Sequence, residues 1–344
     1  MIYQNVFLES FGTFLPERIL SSREIETTLG PVYERLRMSP GRLELMSGVR
    51  ERRLWKEGTP PSIPAVKAAE QALKESGIPR DKIGCLIYGA ISRDFMEPAT
   101  SSKIHHDLRL GPHTIVYDLS NACLGFINSI LNIADEIELG RIHSGLVVAA
   151  ECAESLYQGT FQLLLNDPMI TRETIKPHFA SLTTGSGAVA CVLTHKSSHK
   201  KGCRLLGGTV QNASEHYSLC MGGDPSSSGL IMETQSETLL NKGCELAKQT
   251  WELFKNELHW NNDTPQRIFT HQVGKAHQQM LFKTLDLSLE KDVPTYETLG
   301  NMGSVSLPLT AAVSLRNHPP LAGEKMVLLG IGSGLNCCML AIEG

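Results

Sequence analysis

The sequence of 344 residues has no long hydrophobic run and little net charge. No stretch approaches the ~18 consecutive apolar residues that a membrane-spanning helix requires. Residues 1–6 lack the basic start and apolar segment of a secretory signal peptide. The formal net charge of -4 creates no general field that would attract nucleic acid. These absences predict a cytoplasmic protein with no integral membrane segment and no nucleic-acid partner.

The nine cysteines contain no CxxC pair of the kind that binds zinc, although Cys337 and Cys338 are adjacent. An odd number of cysteines, few for so long a chain, is typical of a reduced protein whose thiols are mostly buried. We therefore expect no metal site, and we expect most cysteines to be small core residues.

Apolar strand-like segments alternate with helix-like segments along the chain. This alternation predicts an α/β fold with a largely buried sheet, partly parallel and covered by helices. The predicted strands are residues 83–90, 114–118, 144–150, 188–193, 204–210, 267–271 and 325–329. The predicted helices are residues 62–76, 98–108, 123–139, 237–258 and 303–315.

The order of elements occurs twice, which suggests two similar halves. In each half a helix, a strand and a second helix follow one another, with 40 positions from Ile83 to Cys123 and 35 from Ile268 to Gly303. The polar stretch 195–201 is the best linker candidate. We therefore divide the chain into residues 1–197 and 198–344, and we expect the two halves to face each other at one central site.

Cys123 is a candidate nucleophile because it lies where a strand is followed by a helix. A thiol in the first turn of a helix is near the positive end of the helix dipole, which lowers the thiol pKa. The sequence Ser120-Asn121-Ala122-Cys123 also offers N-capping residues. The alternative is that Cys123 is only a small residue closing a tight turn.

A catalytic thiol needs a partner and an anion site, and candidates for both lie in the second half. His271 ends a predicted strand, and Asn301 lies in a glycine-rich turn before a helix. The turn Gly332-Ser333-Gly334 can point backbone N–H groups at a developing oxyanion. Each feature alone is weak evidence.

Together these segments resemble the β-ketoacyl synthase III branch of the thiolase superfamily. The matches run in family order and comprise residues 48–53, 120–126, 182–188, 270–272, 300–304 and 330–334. The resemblance implies a homodimer with a thiolase fold of two βαβαβαββ halves in five α-β-α-β-α layers. It implies Cys123 as nucleophile, His271 and Asn301 as its partners, and an oxyanion hole of the N–H groups of Cys123 and Gly334. The implied substrates are thioesters of CoA or acyl carrier protein, with no cofactor.

Residues 93–100 resemble a subgroup, the OleA type, which condenses two acyl chains head to head without decarboxylation. The resemblance implies that Glu97 acts in the neighbouring subunit's site as the base for the α-carbon. A malonyl donor forms its carbanion by losing CO2, whereas a simple acyl thioester must lose a proton to a base such as a desolvated glutamate. The alternative for Glu97 is an acid that stabilises a helix start.

Several features of the sequence allow two interpretations. Gly274 stands where many synthases of this branch have Asn, and Arg50, Arg52 and Arg53 could bind CoA phosphates or form a solvated basic face. Residues 156–168 and 218–229 are expected to form the walls of the acyl site. The leading hypothesis is a non-decarboxylative Claisen condensation. The alternatives are a decarboxylative synthase using malonyl acyl carrier protein, an acyltransferase with the same triad, and a non-catalytic acyl-binding scaffold.

Overall fold

The computed structural model describes residues 1–199, 201–223 and 229–344. The strands are β1 Val6–Phe14, β2 Arg18–Ser21, β3 Glu51–Leu54, β4 Cys85–Tyr88, β5 Ile115–Asp118, β6 Ser144–Glu151, β7 Gly187–His195, β8 Cys203–Asn212, β9 Cys220–Gly223, β10 Ile231–Thr234, β11 Arg267–Thr270, β12 Lys325–Gly332 and β13 Asn336–Glu343. The helices are α1 Ser22–Thr28, α2 Gly30–Arg35, α3 Arg42–Ser47, α4 Ser62–Ser76, α5 Thr100–Leu108, α6 Gly125–Glu138, α7 Glu154–Asn166, α8 Ser236–Leu258, α9 Lys275–Leu285, α10 Tyr296–Leu299 and α11 Ser306–Asn317.

The main sheet contains two sets of strands, one from each half of the chain. Its order is β11-β12-β13-β8-β1-β7-β6-β4-β5. The sets meet where β1 and β8 pair antiparallel, through Phe7 with Arg204 and Leu8 with Cys203. The parallel pairs are β4 with β5, β4 with β6, and β11 with β12. The predicted parallel pairing is thus confirmed only toward the outer ends of the sheet, and the middle is antiparallel.

Helices cover both sets of strands. Helix α4 packs on β1 and β7, α6 on β6, α11 on β11 and β12, and α8 on β8 and β13. Alternate residues of β12 enter two different cores: Met326 and Leu328 join the core that includes α11, while Val327 and Leu329 join the core that includes α8. A strand that buries both of its faces must be apolar throughout, which explains the apolar run there. The predicted layered α/β fold is confirmed.

The close packing of α4 depends on small residues. Gly12 of β1 lies so near the helix that an added Cβ would be 1.9 Å from the carbonyl oxygen of Ala68. Helix α4 has the predicted bounds, and its C-cap Gly77 has a φ of 64°. Left-handed backbone at that position favours glycine and ends the helix as expected.

Three helices begin later than predicted, and all three starts bear on the site. Helix α5 begins at Thr100 rather than Pro98, α6 at Gly125 rather than Cys123, and α11 at Ser306 after a 3-10 turn over Gly303–Val305. Ala122 has a left-handed φ of 44°, which interrupts the helical path before α6. The sequence analysis also missed β1 and β13, which lie inside the sheet.

The predicted linker spans the connection from β7 to β8. Strand β7 ends at His195 and β8 begins at Cys203. Lys200, within the predicted linker, lies outside the described residues. The division at residue 197 stays a prediction. In the described ranges no helix is long and apolar enough to cross a membrane.

Candidate active site

Cys123 lies in a tight turn between β5 and α6. The N–H of Leu124 donates to the carbonyl of Asn121 at 2.9 Å, and the N–H of Gly125 donates to that of Ala122 at 3.2 Å. The left-handed backbone of Ala122 is costly for a residue with a side chain. Strained backbone of this kind is frequent where a reactive side chain must be presented in one orientation. Cys123 therefore lies before the helix, not in its first turn.

The surroundings of the Cys123 sulfur favour the neutral thiol. Burial is the largest cause, and with the nearby charge of Glu151 it raises the thiol pKa to about 12. Backbone N–H groups of Ser333 and of Cys123 itself lower the pKa by a smaller amount. The expectation that the helix dipole makes this thiol acidic is wrong, because desolvation outweighs the N–H groups.

The turn between β12 and β13 faces Cys123. Gly330 and Gly332 pack against the side chain of Leu124, where added Cβ atoms would be 2.5 and 3.1 Å from its carbons. This close approach brings the backbone N–H of Ser333 to the sulfur. Gly334 has a left-handed φ of 78° and forms the tip of the same turn. The role of the Gly334 N–H in an oxyanion hole stays a prediction, and within the same turn it is the N–H of Ser333 that meets the sulfur.

His271 directly follows β11, as predicted. Its backbone N–H donates to Leu329 of β12 at 3.0 Å, so the strand that leads to the Ser333 turn also holds the histidine. The ring is buried, and its Nδ1 has no hydrogen-bond partner among the described residues. Burial, with a smaller effect of His277, lowers the pKa of His271 to about 3. The imidazole is therefore neutral at physiological pH.

Asn301 lies in a turn that is anchored to the segment before β7. Its N–H donates to Thr183 at 2.9 Å, and its carbonyl accepts from Gly185 at 2.8 Å. The side-chain Oδ1 accepts from the N–H of Gly303 at 3.0 Å. This bond orients the carboxamide so that its oxygen is engaged and its NH2 group is the end that can donate to a ligand.

A buried carboxylate that the sequence analysis did not single out lies beside the Asn301 turn and near Cys123. Glu151 ends β6, is 6% exposed, and its charge acts on the Cys123 thiol. It accepts hydrogen bonds from Ile91 and Ser92 on one side and from Ser304 on the other. The sequence signal is an acid at the end of the otherwise apolar run SGLVVAAE. An acid that ends a buried strand must find partners nearby.

Glu97 lies apart from these groups within one subunit. It is exposed, as are its neighbours Phe95 and Met96, which are 48% and 95% exposed. The loop is fixed on either side of Glu97, because Asp94 accepts from the N–H of Ser62 at 2.9 Å and Thr100 bonds Asp118 at 2.8 Å. A desolvated Glu97 therefore requires this loop to be covered.

The three arginines of residues 50–53 have different surroundings. Arg52 is fully buried, and its guanidinium donates to Leu20, Ser22 and Leu182. A phosphate cannot reach it, so the proposed CoA contact of Arg52 is wrong, and its function is to hold chain segments together. Arg53 donates to the carbonyl of Pro16 at 2.9 Å and is half-buried. Arg50 is exposed.

The predicted acyl-site walls, residues 156–168 and 218–229, contain most of α7 and the strand β9. Cys220, the first residue of β9, acts electrostatically on Cys123, which places this strand beside the candidate nucleophile. Residues 224–228 of the predicted wall lie outside the described residues.

The layered fold and the relatives of this chain define a condensing acyltransferase of the thiolase superfamily. Residues 256–343 match the family model for the C-terminal part of 3-oxoacyl-[acyl-carrier-protein] synthase III. The chain belongs to the OleA-type family within the synthase III-like branch. It is 40% identical to the acyl-CoA:acyl-CoA alkyltransferase of Shewanella oneidensis, with both chains covered completely. It is 33% identical to the protein of the same name from Xanthomonas campestris, over 99% of each chain.

Solved structures show the same likeness. A cysteine-to-serine variant of Xanthomonas campestris OleA, with bound lauric acid and lauroyl-CoA, superposes with a TM-score of 0.94 at 32% identity over 100% of both chains. The β-ketoacyl-[acyl-carrier-protein] synthase III of Koribacter versatilis is more distant, at 24% identity over 95% of this chain and 94% of that protein. The thiolase fold and the OleA-type relationship expected from the sequence are confirmed.

Proposed function

We propose that the protein joins two acyl-CoA molecules by a non-decarboxylative Claisen condensation. The observation that carries the proposal is the 40% identity, over the whole chain, to an acyl-CoA:acyl-CoA alkyltransferase. The solved OleA variants alter a cysteine, a histidine and a glutamate, the same residue types as Cys123, His271 and Glu97.

The first step transfers one acyl group to the protein. The Cys123 sulfur attacks the thioester carbonyl as its proton passes to the neutral His271, and the CoA thiol leaves with that proton. Because the thiol pKa is about 12, proton removal has to accompany attack rather than precede it. The oxyanion accepts hydrogen bonds from the N–H of Cys123 and from the turn at Ser333 and Gly334.

The second step forms the carbon–carbon bond. Glu97 of a second copy removes the α-proton of a second acyl thioester, and His271 and the Asn301 NH2 group donate to the resulting enolate oxygen. The α-carbon attacks the Cys123 thioester, and collapse of the tetrahedral intermediate breaks the bond to the Cys123 sulfur. That sulfur takes up one proton and Glu97 gives up the proton it removed, so both groups return to their starting states. The product is a β-keto thioester, or the β-keto acid after hydrolysis. The two substrates and these side chains supply all the reacting groups, so this scheme uses no cofactor.

A homodimer follows from this scheme, because Glu97 must reach another subunit's site. Two observations support it. Ile91, Phe95 and Met96 leave apolar surface exposed around Glu97. Among the described strands, β5 is the edge of the sheet next to this region, and its Ile115 is 50% exposed. Exposed apolar side chains and an open sheet edge are surfaces that a second copy can cover.

Acyl-CoA alone, without a malonyl donor, tests the proposal. The protein should form a covalent acyl adduct on Cys123, seen by intact mass, and release a β-keto product. The Glu97→Gln variant should keep the adduct and lose the product, while the exposed control Glu57→Gln should keep both.

Other outcomes select the alternatives. Turnover restored only by malonyl acyl carrier protein, and spared in Glu97→Gln, would establish a decarboxylative synthase. An adduct with transfer to another acceptor but no β-keto product would establish an acyltransferase. Folded protein without an adduct would establish a scaffold.

A further inference from the structure

Glu151 is a buried acid whose side chain is held entirely by neutral donors. In the part of the chain that the structure describes, no basic side chain forms an ion pair with it. A buried carboxylate without a cation requires several hydrogen bonds to offset the cost of desolvation. Glu151 has them, and they come from two segments far apart in the sequence.

Both carboxylate oxygens bind the loop that leads to Glu97. The Oε2 atom accepts from the N–H of Ser92 at 3.1 Å and from its hydroxyl at 2.8 Å. The N–H of Ile91 donates to Oε1 at 3.0 Å. The loop is further held by Tyr88, whose hydroxyl donates to the carbonyl of Ser92 at 2.8 Å. Glu151 thus fixes the point from which the Glu97 loop leaves the sheet.

The same carboxylate binds the turn that presents Asn301. The hydroxyl of Ser304 donates to Oε1 at 2.7 Å, and its N–H lies 3.4 Å from the same oxygen. Gly303, between Ser304 and Asn301, has a left-handed φ of 53° and donates to the Asn301 side chain at 3.0 Å. A Cβ at Gly303 would be 3.2 Å from Glu151, so carboxylate and turn are in contact. Displacing Ser304 would therefore displace the Asn301 carboxamide.

We infer that Glu151 is a positioning residue, whose single carboxylate sets the Asn301 turn of one site and the loop that offers Glu97 to the other subunit. This inference rests on the proposed roles of Asn301 and Glu97. Glu151 takes no part in the bond-forming steps. It acts by holding the Asn301 turn and the Glu97 loop in the positions that the reaction requires. Errors of about 1 Å in such placement can lower the rate about 100-fold.

The charge of Glu151 also provides an independent readout. The charge of Glu151 acts on Cys123, and it also acts on Tyr88 and Cys152. Removing the negative charge from Glu151 should make the Cys123 thiol easier to ionise. Substitution of a residue with only a structural role elsewhere in the fold would change stability without changing the ionisation of the Cys123 thiol.

The test compares Glu151→Gln with Glu154→Gln. Glu154 is a matched control because it is a half-buried carboxylate three residues away that bonds Ser186 instead of the site. In Glu151→Gln, kcat for condensation should fall about 10- to 100-fold with KM for acyl-CoA nearly unchanged. The acyl adduct on Cys123 should still form. The pH profile of Cys123 alkylation should move down by about one unit. Glu154→Gln should change none of these.

A second variant keeps the test decisive if Glu151→Gln folds poorly. Ser304→Ala deletes one hydroxyl and should lower kcat, while the adduct and the alkylation profile stay as in the wild type. Condensation within twofold of wild type in folded Glu151→Gln, or an unchanged alkylation profile, would overturn the inference. Failure of the proposed function would differ, since wild-type protein would then form no adduct or no β-keto product.

Discussion

The free thiol of Cys123 should ionise far less readily than an ordinary cysteine. Burial and the charge of Glu151 raise its pKa from 9.0 to about 12, while the N–H of Ser333 opposes them weakly. This rise in the pKa corresponds to about 4 kcal/mol in the free energy of ionisation, and to a thiolate population about 1000-fold smaller at neutral pH. The resting protein should therefore contain a thiol, and it should react slowly with small alkylating reagents.

Alkylation by iodoacetamide measures this directly. The rate at Cys123, followed by mass spectrometry of its peptide, should rise about tenfold per pH unit from pH 6 to pH 10 without a plateau. A short cysteine peptide should reach its plateau within that range, since an unperturbed thiol has a pKa of about 8.5. The Cys123→Ala variant gives the background from the other cysteines.

One result would refute this reasoning. A plateau with its midpoint at or below pH 8.5 would mean that the N–H groups and the start of α6 outweigh burial. The thiolate would then form before substrate binds, and His271 would not be needed to take the proton as attack occurs. In that case the pH profile of Cys123 alkylation in Glu151→Gln would no longer report on the charge of Glu151.

Three further predictions concern two histidines with lowered pKa values, a glycine packed against α4 and an exposed arginine. Burial lowers the pKa of His271 to about 3 and of His277 to about 4, so the folded protein binds fewer protons than the unfolded chain below about pH 6.5. The free energy of unfolding should therefore fall by about 2 kcal/mol per histidine between about pH 6.5 and pH 5. In urea unfolding, the His277→Asn variant should lose less stability over this pH range, because it lacks one of the two histidines. Gly12→Ala should destabilise the protein by about 1–3 kcal/mol in the same assay, because its Cβ would collide with α4; wild-type stability would contradict that contact. Arg50→Ala should raise KM for acyl-CoA with kcat little changed if this exposed residue binds CoA phosphates; an unchanged KM would leave it as a solvated basic residue.

Local patterns were sufficient for much of the fold. The bounds of α4 follow from its alanine-rich face and from Gly77, and β11 with His271 at its end follows from a short apolar run. The order of elements indicated two layered halves. These features depend on neighbouring residues, whose side-chain spacing and turn chemistry are visible in one sequence.

The sequence supplied candidate residues for the site but not their environment. Cys123, His271 and Asn301 were identified from motifs, whereas the thiol pKa was predicted in the wrong direction and Arg52 was assigned to solvent although it is buried. Glu151 was missed. Its partners Ser92 and Ser304 are 59 and 153 positions away.

The sequence by itself determined the family, the order of strands and helices, and the kinds of side chain available for thioester chemistry. Only the tertiary structure decided how far each of those side chains is removed from solvent and which hydrogen-bond donors face it. The reason is physical: solvation and electrostatic interaction depend on every atom within several ångströms, and at Cys123 those atoms come from β6, β9 and the turn after β12.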